Sequence, residues 1–175
     1  HRWTWSCSAA QQLWQWRSSR GTLRGVVQTL FRMPSFTENY YHHYGNADLR
    51  PERTQQMSVG LSVEHVPQAS SLLWKGSVDV YHNRVLDRIL GIPVNQNVWR
   101  TTNLDRVNAI GLDLSTQLRC TIAPRQAMEG SFTASWQRVT DESSRSSPTY
   151  GLQLPYIPEF TAHLVLVWSH PWCDV

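Results

Sequence analysis

Alternation of apolar and polar residues with a period of two dominates the chain, and helical periodicity is scarce. Over residues 56–64, Met57, Val59, Leu61 and Val63 alternate with Gln56, Ser58, Gly60, Ser62 and Glu64. Ile110, Leu112, Leu114 and Leu118 alternate with Gly111, Asp113, Ser115, Gln117 and Arg119. Met128, Phe132, Ala134 and Trp136 do so with Glu129, Ser131, Thr133, Ser135 and Gln137, and Val78 and Val80 with Ser77, Asp79 and Asn83. Phe160, Ala162, Leu164, Leu166 and Trp168 hold one face of the last segment. Two earlier segments, about 6–16 and 22–32, look extended but alternate less cleanly. The pattern predicts about seven strands of roughly 9–12 residues, longer than the usual strand of about 5–6.

The predicted connections alternate in length. Those at 17–21, 66–73 and 120–126 are short; those at 33–54, 86–106 and 139–158 are long. A soluble sandwich has no reason to put every long loop at one end, whereas a transmembrane barrel has short turns on one side and long loops on the other. A tilted strand of about 9–11 residues also matches the bilayer. The expected fold is an all-β antiparallel meander in which successive strands pair. Val59, Leu61, Leu112, Leu114, Phe132, Leu164 and Leu166 should face lipid, and Ser58, Ser62, Asp113, Ser115, Thr133 and Ser135 the lumen. Lipid cannot satisfy open sheet edges, so seven spanning strands imply a section of a larger closed barrel.

Composition sharpens this reading. Nine Trp among 175 residues is a large excess, and Trp14, Trp16, Trp74, Trp168 and Trp172 all flank short turns, as an interfacial aromatic belt would. No run approaches the roughly 18 apolar residues of a membrane-spanning helix, and Arg2-Trp3-Thr4-Trp5 leads into no signal-peptide core. The net charge of +3 is too small to indicate nucleic-acid binding. Cys7, Cys120 and Cys173 form no CxxC pair, so a zinc ribbon or redox motif is not expected. No HExxH, GxSxG, Walker or Rossmann pattern occurs, so no enzymatic activity and no cofactor are expected.

The run Phe31-Arg32-Met33-Pro34, followed by Gly45-Asn46-Ala47-Asp48-Leu49-Arg50-Pro51-Glu52, resembles the FRxP…GNxxLxPE signature of TonB-dependent outer-membrane receptors. The segment from Val78 through Tyr81, Asn83 and Asp87 to Ile89 is similar to that family's YxNxxxDxI strand, and Asn103 to Asp113 to its re-entry strand. The resemblance implies a 22-stranded barrel in the outer membrane of a Gram-negative bacterium, filled by an N-terminal plug. It implies import of a bulky cargo such as cobalamin, a ferric siderophore or haem, driven by the inner-membrane TonB complex acting near the receptor's N-terminus. Residues 1–175 carry no plug, no TonB box and no closing strand of that family, so a fragment of the barrel domain is expected. Arg32, Pro34, Gly45, Asn46, Leu49, Pro51 and Glu52 have a structural reading: Pro34 ends a strand, Gly45-Asn46 makes a turn, and Pro51 keeps Arg50 extended.

The densest group of titratable and aromatic residues is Tyr40, Tyr41, His42, His43 and Tyr44. In a long outward loop it is a candidate surface for a chelated-metal or vitamin cargo. Haem receptors carry a His between similar boxes, which makes His42 or His43 a candidate haem ligand. On a strand, adjacent histidines would point to opposite faces; a loop could bring them together. A soluble, Trp-rich, carbohydrate-binding β-sandwich is the alternative architecture. A passive porin would share the barrel but lack the boxes.

Overall fold

The computed structural model describes residues 3–66, 72–95, 98–123 and 126–170. Seven strands follow one another: β1 (Ser6–Trp16), β2 (Ser19–Arg32), β3 (Glu52–His65), β4 (Leu72–Pro93), β5 (Trp99–Ala123), β6 (Gln126–Asp141) and β7 (Phe160–Ser169). One short helix, α1 (Phe36–Tyr40), interrupts the β2–β3 connection. The strands make a single sheet in the order β1-β2-β3-β4-β5-β6-β7, every neighbour antiparallel. This is the expected meander. The described residues hold one sheet only, so the sandwich alternative fails for want of a second layer.

Register puts the two residue sets on opposite faces. Val59 lies between Gly25 and Val80, Val80 faces Leu112, Leu112 faces Trp136, and Trp136 faces Phe160. One residue along, Gly60, Asp79, Asp113 and Ser135 share the other face. On the apolar face these large side chains are bare, Leu166 at 68% and Val59 at 57% exposure. That is the arrangement of a sheet whose solvent on that side is hydrocarbon. The apolar run from Met128 to Trp136, about nine residues at roughly 3.4 Å each and tilted about 40°, stands roughly 23 Å tall, close to the outer-membrane band of about 25 Å.

Trp16, Ser19, His65, Trp74, Leu118 and Gly130 fall in one row across six strands. Trp14 lies one step inward of that row and Trp168, opposite Met128, one step outward. These four tryptophans therefore form a belt at the short-turn rim; Trp172 and Cys173 lie outside the described residues. The Trp74 indole lies across Gly76, where a Cβ would stand 2.7 Å from the ring, and its N–H donates to Thr116 Oγ1 at 2.8 Å. Cys7 and Cys120 are free thiols.

The predicted connections need correction at the long-loop end. Residues 86–106 are not a long loop: β4 and β5 stay paired from Leu86–Arg106 out to Pro93–Trp99. Strands reach 25 residues rather than 9–12. The alternation fades there because both faces acquire protein neighbours. Val85, Val107, Val139 and Leu154 form a buried cluster on the polar face, and Leu49 and Ile89 are also buried. Residues 52–54 likewise belong to β3, and β6 continues to Asp141.

Candidate functional site

The 33–51 connection is strapped onto the projecting β4–β5 hairpin. Its root is an ion-pair cluster. Arg32 Nε and Nη2 donate to both oxygens of Glu52 at 3.2 and 3.0 Å, and Arg32 Nη1 donates to Glu38 at 3.0 and 3.1 Å. Glu52 is 4% exposed, and its Oε1 also accepts the Ile89 N–H at 2.7 Å. That N–H is reached just past Asp87, whose φ of +56° breaks the ladder between the Leu86 and Arg88 pairs. The Glu52 hydrogen bonds, reinforced by Glu38, push the Arg32 pKa further up and keep the guanidinium charged. Pro34 follows, and then Ser35 caps α1: its Oγ accepts from the Glu38 N–H while Glu38 Oε2 accepts from the Ser35 N–H at 2.7 Å. Burial pushes the Glu38 carboxyl up, but the hydrogen bonds from Ser35 and Arg32 outweigh it and hold it below the ordinary carboxylate value.

After α1 the chain turns sharply. The Gly45 N–H donates to the Tyr41 carbonyl at 2.7 Å, and a Cβ on Gly45 would stand 2.7 Å from the Asn39 carbonyl group. Only glycine permits that approach. Asn46 Nδ2 reaches the Thr101 carbonyl, and both the N–H and hydroxyl of Thr101 donate to the Tyr44 carbonyl, at 2.9 and 3.0 Å. Asn103 exchanges hydrogen bonds with the Arg50 backbone, and the Arg50 side chain pairs with Asp87 and Asp105, both at 2.9 Å. Leu49 is buried and Pro51 half-buried where the strap rejoins β3.

The five candidate contact residues separate. Tyr44 is half-buried, its ring lying against Gly91 of the hairpin. Tyr40 and Tyr41 are 63% and 64% exposed, with Tyr40 stacked on Phe36 at 5.2 Å. His42 and His43 are exposed on a turn in which His43 has φ +64°, and their rings meet edge-on at 3.8 Å. The turn thus places both imidazoles side by side.

Sequence reasoning missed the trough on the polar face below this strap. It has a volume of about 590 Å³ and is lined by Gln56, Tyr81, Asn83, Asp113, Gln137 and Arg88 among others. Tyr81 lies across Gly111 toward Gln137, occupying the space a Cβ would take. Asn83 Oδ1 and Arg88 Nε, both in its lining, have no hydrogen-bond partner among the described residues. Further toward the short turns, Arg24 reaches over Gly60 to bond Asp79 at 2.6 and 3.1 Å, and a Cβ on Gly60 would strike that carboxylate. Polar parity within each strand was the available signal for these residues. The Ser35-x-x-Glu38 spacing after Pro34 was the signal for α1.

The 142–159 connection closes the trough's upper side. Asp141, 3% exposed, accepts from the Ser143 N–H and the Thr149 hydroxyl at 2.9 and 2.6 Å. Burial pushes this carboxyl up, yet hydrogen bonding from Ser143, side chain and backbone, and from Thr149 prevails and lowers it. Leu154 and Ile157 are thereby laid onto Val139 and Val107.

No curated relative matches the chain. The model of the family described as TonB dependent receptor-like, beta-barrel, matches residues 1–173. With a single membrane-height meander, an apolar face against a polar one and that match over nearly the whole length, the chain belongs to the TonB-dependent receptor β-barrel family, whose members are outer-membrane transport proteins of Gram-negative bacteria.

Proposed function

We propose that this sheet is a wall section of a 22-stranded, plugged barrel that imports a bulky nutrient with energy from the inner-membrane TonB complex. The observation that carries the reading is the pairing of an uncharged, bare apolar face with a polar face roofed by a strapped outer loop. β1 and β7 are sheet edges among the described residues. In hydrocarbon their free N–H and C=O groups demand partner strands.

The cargo is a chelated metal or vitamin: cobalamin, a ferric siderophore or haem. Tyr40, Tyr41, His42 and His43 are exposed on the strap, and Tyr44 lies against Gly91 of the hairpin. Exposed tyrosine rings cover a large ligand at low entropic cost, and either imidazole could ligate haem iron. Replacing the four exposed residues with Ala in the full-length receptor, leaving Tyr44 in place, is the test. Affinity for the true cargo should fall at least tenfold while the barrel assembles normally. Wild-type affinity for all three cargo classes in a folded variant would make the segment purely structural.

A further inference from the structure

Two unfavourable local arrangements meet at the trough on the polar face. Tyr156 has φ +62°, a left-handed conformation that only glycine adopts without strain. Its ring is nevertheless 78% exposed and lies 5.5 Å from that of Trp99, tilted by 50°. The next residue, Ile157, lines the trough. So does Asn83, whose Oδ1 is buried with no hydrogen-bond partner among the described residues. A strained, exposed aromatic and an orphaned acceptor both destabilise the unliganded wall, and such departures gather where a ligand compensates them.

The other lining groups define the ligand. Gln28, Gln56 and Asn83 form a row of amides across β2, β3 and β4, continued by Ala109 on β5. Gln56 Oε1 accepts from Gln28 at 2.9 Å, which leaves its Nε2 as a donor. Among the described residues lining the trough, Arg88 is the one cation; it stands 3.8 Å from the Glu52 carboxylate, and its Nε is buried. Asp113 accepts from the Ser135 hydroxyl and joins no ion pair with a described residue, while Asp79 opposite it is taken by Arg24. The trough therefore offers amides beside one uncompensated carboxylate. Such a wall repels an anion and suits a neutral hydrogen-bonding ligand.

We propose that the trough and the adjoining Trp99–Tyr156 pair form a cargo subsite for a neutral, amide-edged ring and select against anionic chelates. The ligand's amides exchange hydrogen bonds with Gln56 and with Asn83, whose amide turns about χ2 to present its acceptor. The ligand's flat apolar face stacks on Tyr156. The subsite rests on the reading of the polar face as the wall of an importing barrel, and it uses none of the five residues of the tyrosine–histidine turn.

The measurement is equilibrium binding to the full-length receptor in detergent, with heat-modifiable gel migration identifying folded barrel. Cyanocobalamin is the amide-edged probe, haemin the carboxylate-edged probe and a ferric tris-catecholate the anionic chelate. Tyr156→Gly and Asn83→Leu are the decisive variants, because glycine accepts the positive φ and leucine leaves no orphaned acceptor. Neither should lower the unfolding temperature of the unliganded receptor. Cyanocobalamin affinity should nevertheless fall about fivefold in Tyr156→Gly and about tenfold in Asn83→Leu, with haemin binding unchanged. Asp113→Asn should admit both anionic probes about threefold more tightly. Wild-type preference for either anionic probe overturns the subsite and leaves the import reading standing. So does unchanged cyanocobalamin affinity in both folded variants, or a loss of affinity that tracks a loss of stability. If the folded wild-type receptor binds none of the three probes, the import reading falls and the subsite falls with it.

Discussion

The row joining Met57, His82 and Ile110 divides each long strand into two regimes. On the short-turn side the sheet is one layer thick, and its apolar residues are bare on one face. On the long-loop side the same strands carry buried Val85, Ile89, Val107 and Val139, the connections add buried Leu49 and Leu154, and Glu52, Thr101 and Asp141 are buried with them. The first half is held by its backbone ladder and by the solvent it stands in. The second half is held as soluble proteins are, by side chains buried against other side chains and by satisfied buried polar groups. A barrel strand of this length is therefore two materials joined end to end, and each should break in its own way.

The largest effect should come from Glu52. Glu52→Ala strips Arg32 of two hydrogen bonds and leaves the Ile89 N–H unpaired in a buried site. Removing one partner of such a cluster costs about 3–5 kcal/mol. The loss should stay in the outer half: hydrogen exchange should accelerate over residues 33–51 and 86–106 while the 110–120 stretch of β5 stays protected. Loss of protection throughout the sheet would mean that the two halves are one cooperative unit.

Next comes the spanning half. Leu114 sits near mid-height of the apolar face, between Val78 and Ala134. Leu114→Arg should destabilise the vesicle-inserted receptor by about 3 kcal/mol in denaturant unfolding. Ser115→Arg, one residue along on the polar face, should cost less than about 1 kcal/mol. Equal costs would show that the faces are misassigned.

The smallest effect is acidic loosening of the outer loops. Glu38 and Asp141 are both depressed in the folded state, so the stability they contribute is full above the unfolded carboxylate value, about pH 4, and is lost as pH falls through their lower folded values. A spin label at Ser146 should become mobile only below about pH 4. Thr149→Val removes one of the bonds that lower Asp141, so the transition should move to higher pH by a fraction of a unit.

The same division explains what could be read from the chain. The spanning half was legible because two different solvents impose strict alternation, as in Val59–Ser62 and Leu112–Ser115. The outer half was not, because Val85, Val107 and Val139 occupy polar-face positions and are apolar there: the 142–159 connection covers them. The Arg32, Pro34, Gly45 and Glu52 boxes marked the strap, but no local rule paired Asn103 with Arg50 or Thr101 with Tyr44 across more than fifty residues. The trough escaped because its amides are scattered over three strands and meet only through register.

The projecting hairpin also sets an altitude. Thr101, which holds the Tyr44 carbonyl, lies about nine residues beyond Ile110 on β5, roughly 30 Å of strand and, at a tilt of about 40°, roughly 23 Å of height. The tyrosine–histidine turn is carried on a stiff mast rather than a tether. If the turn contacts cargo as proposed, the contact lies well above the lipid headgroups, at a height that thermal motion of a free loop would blur.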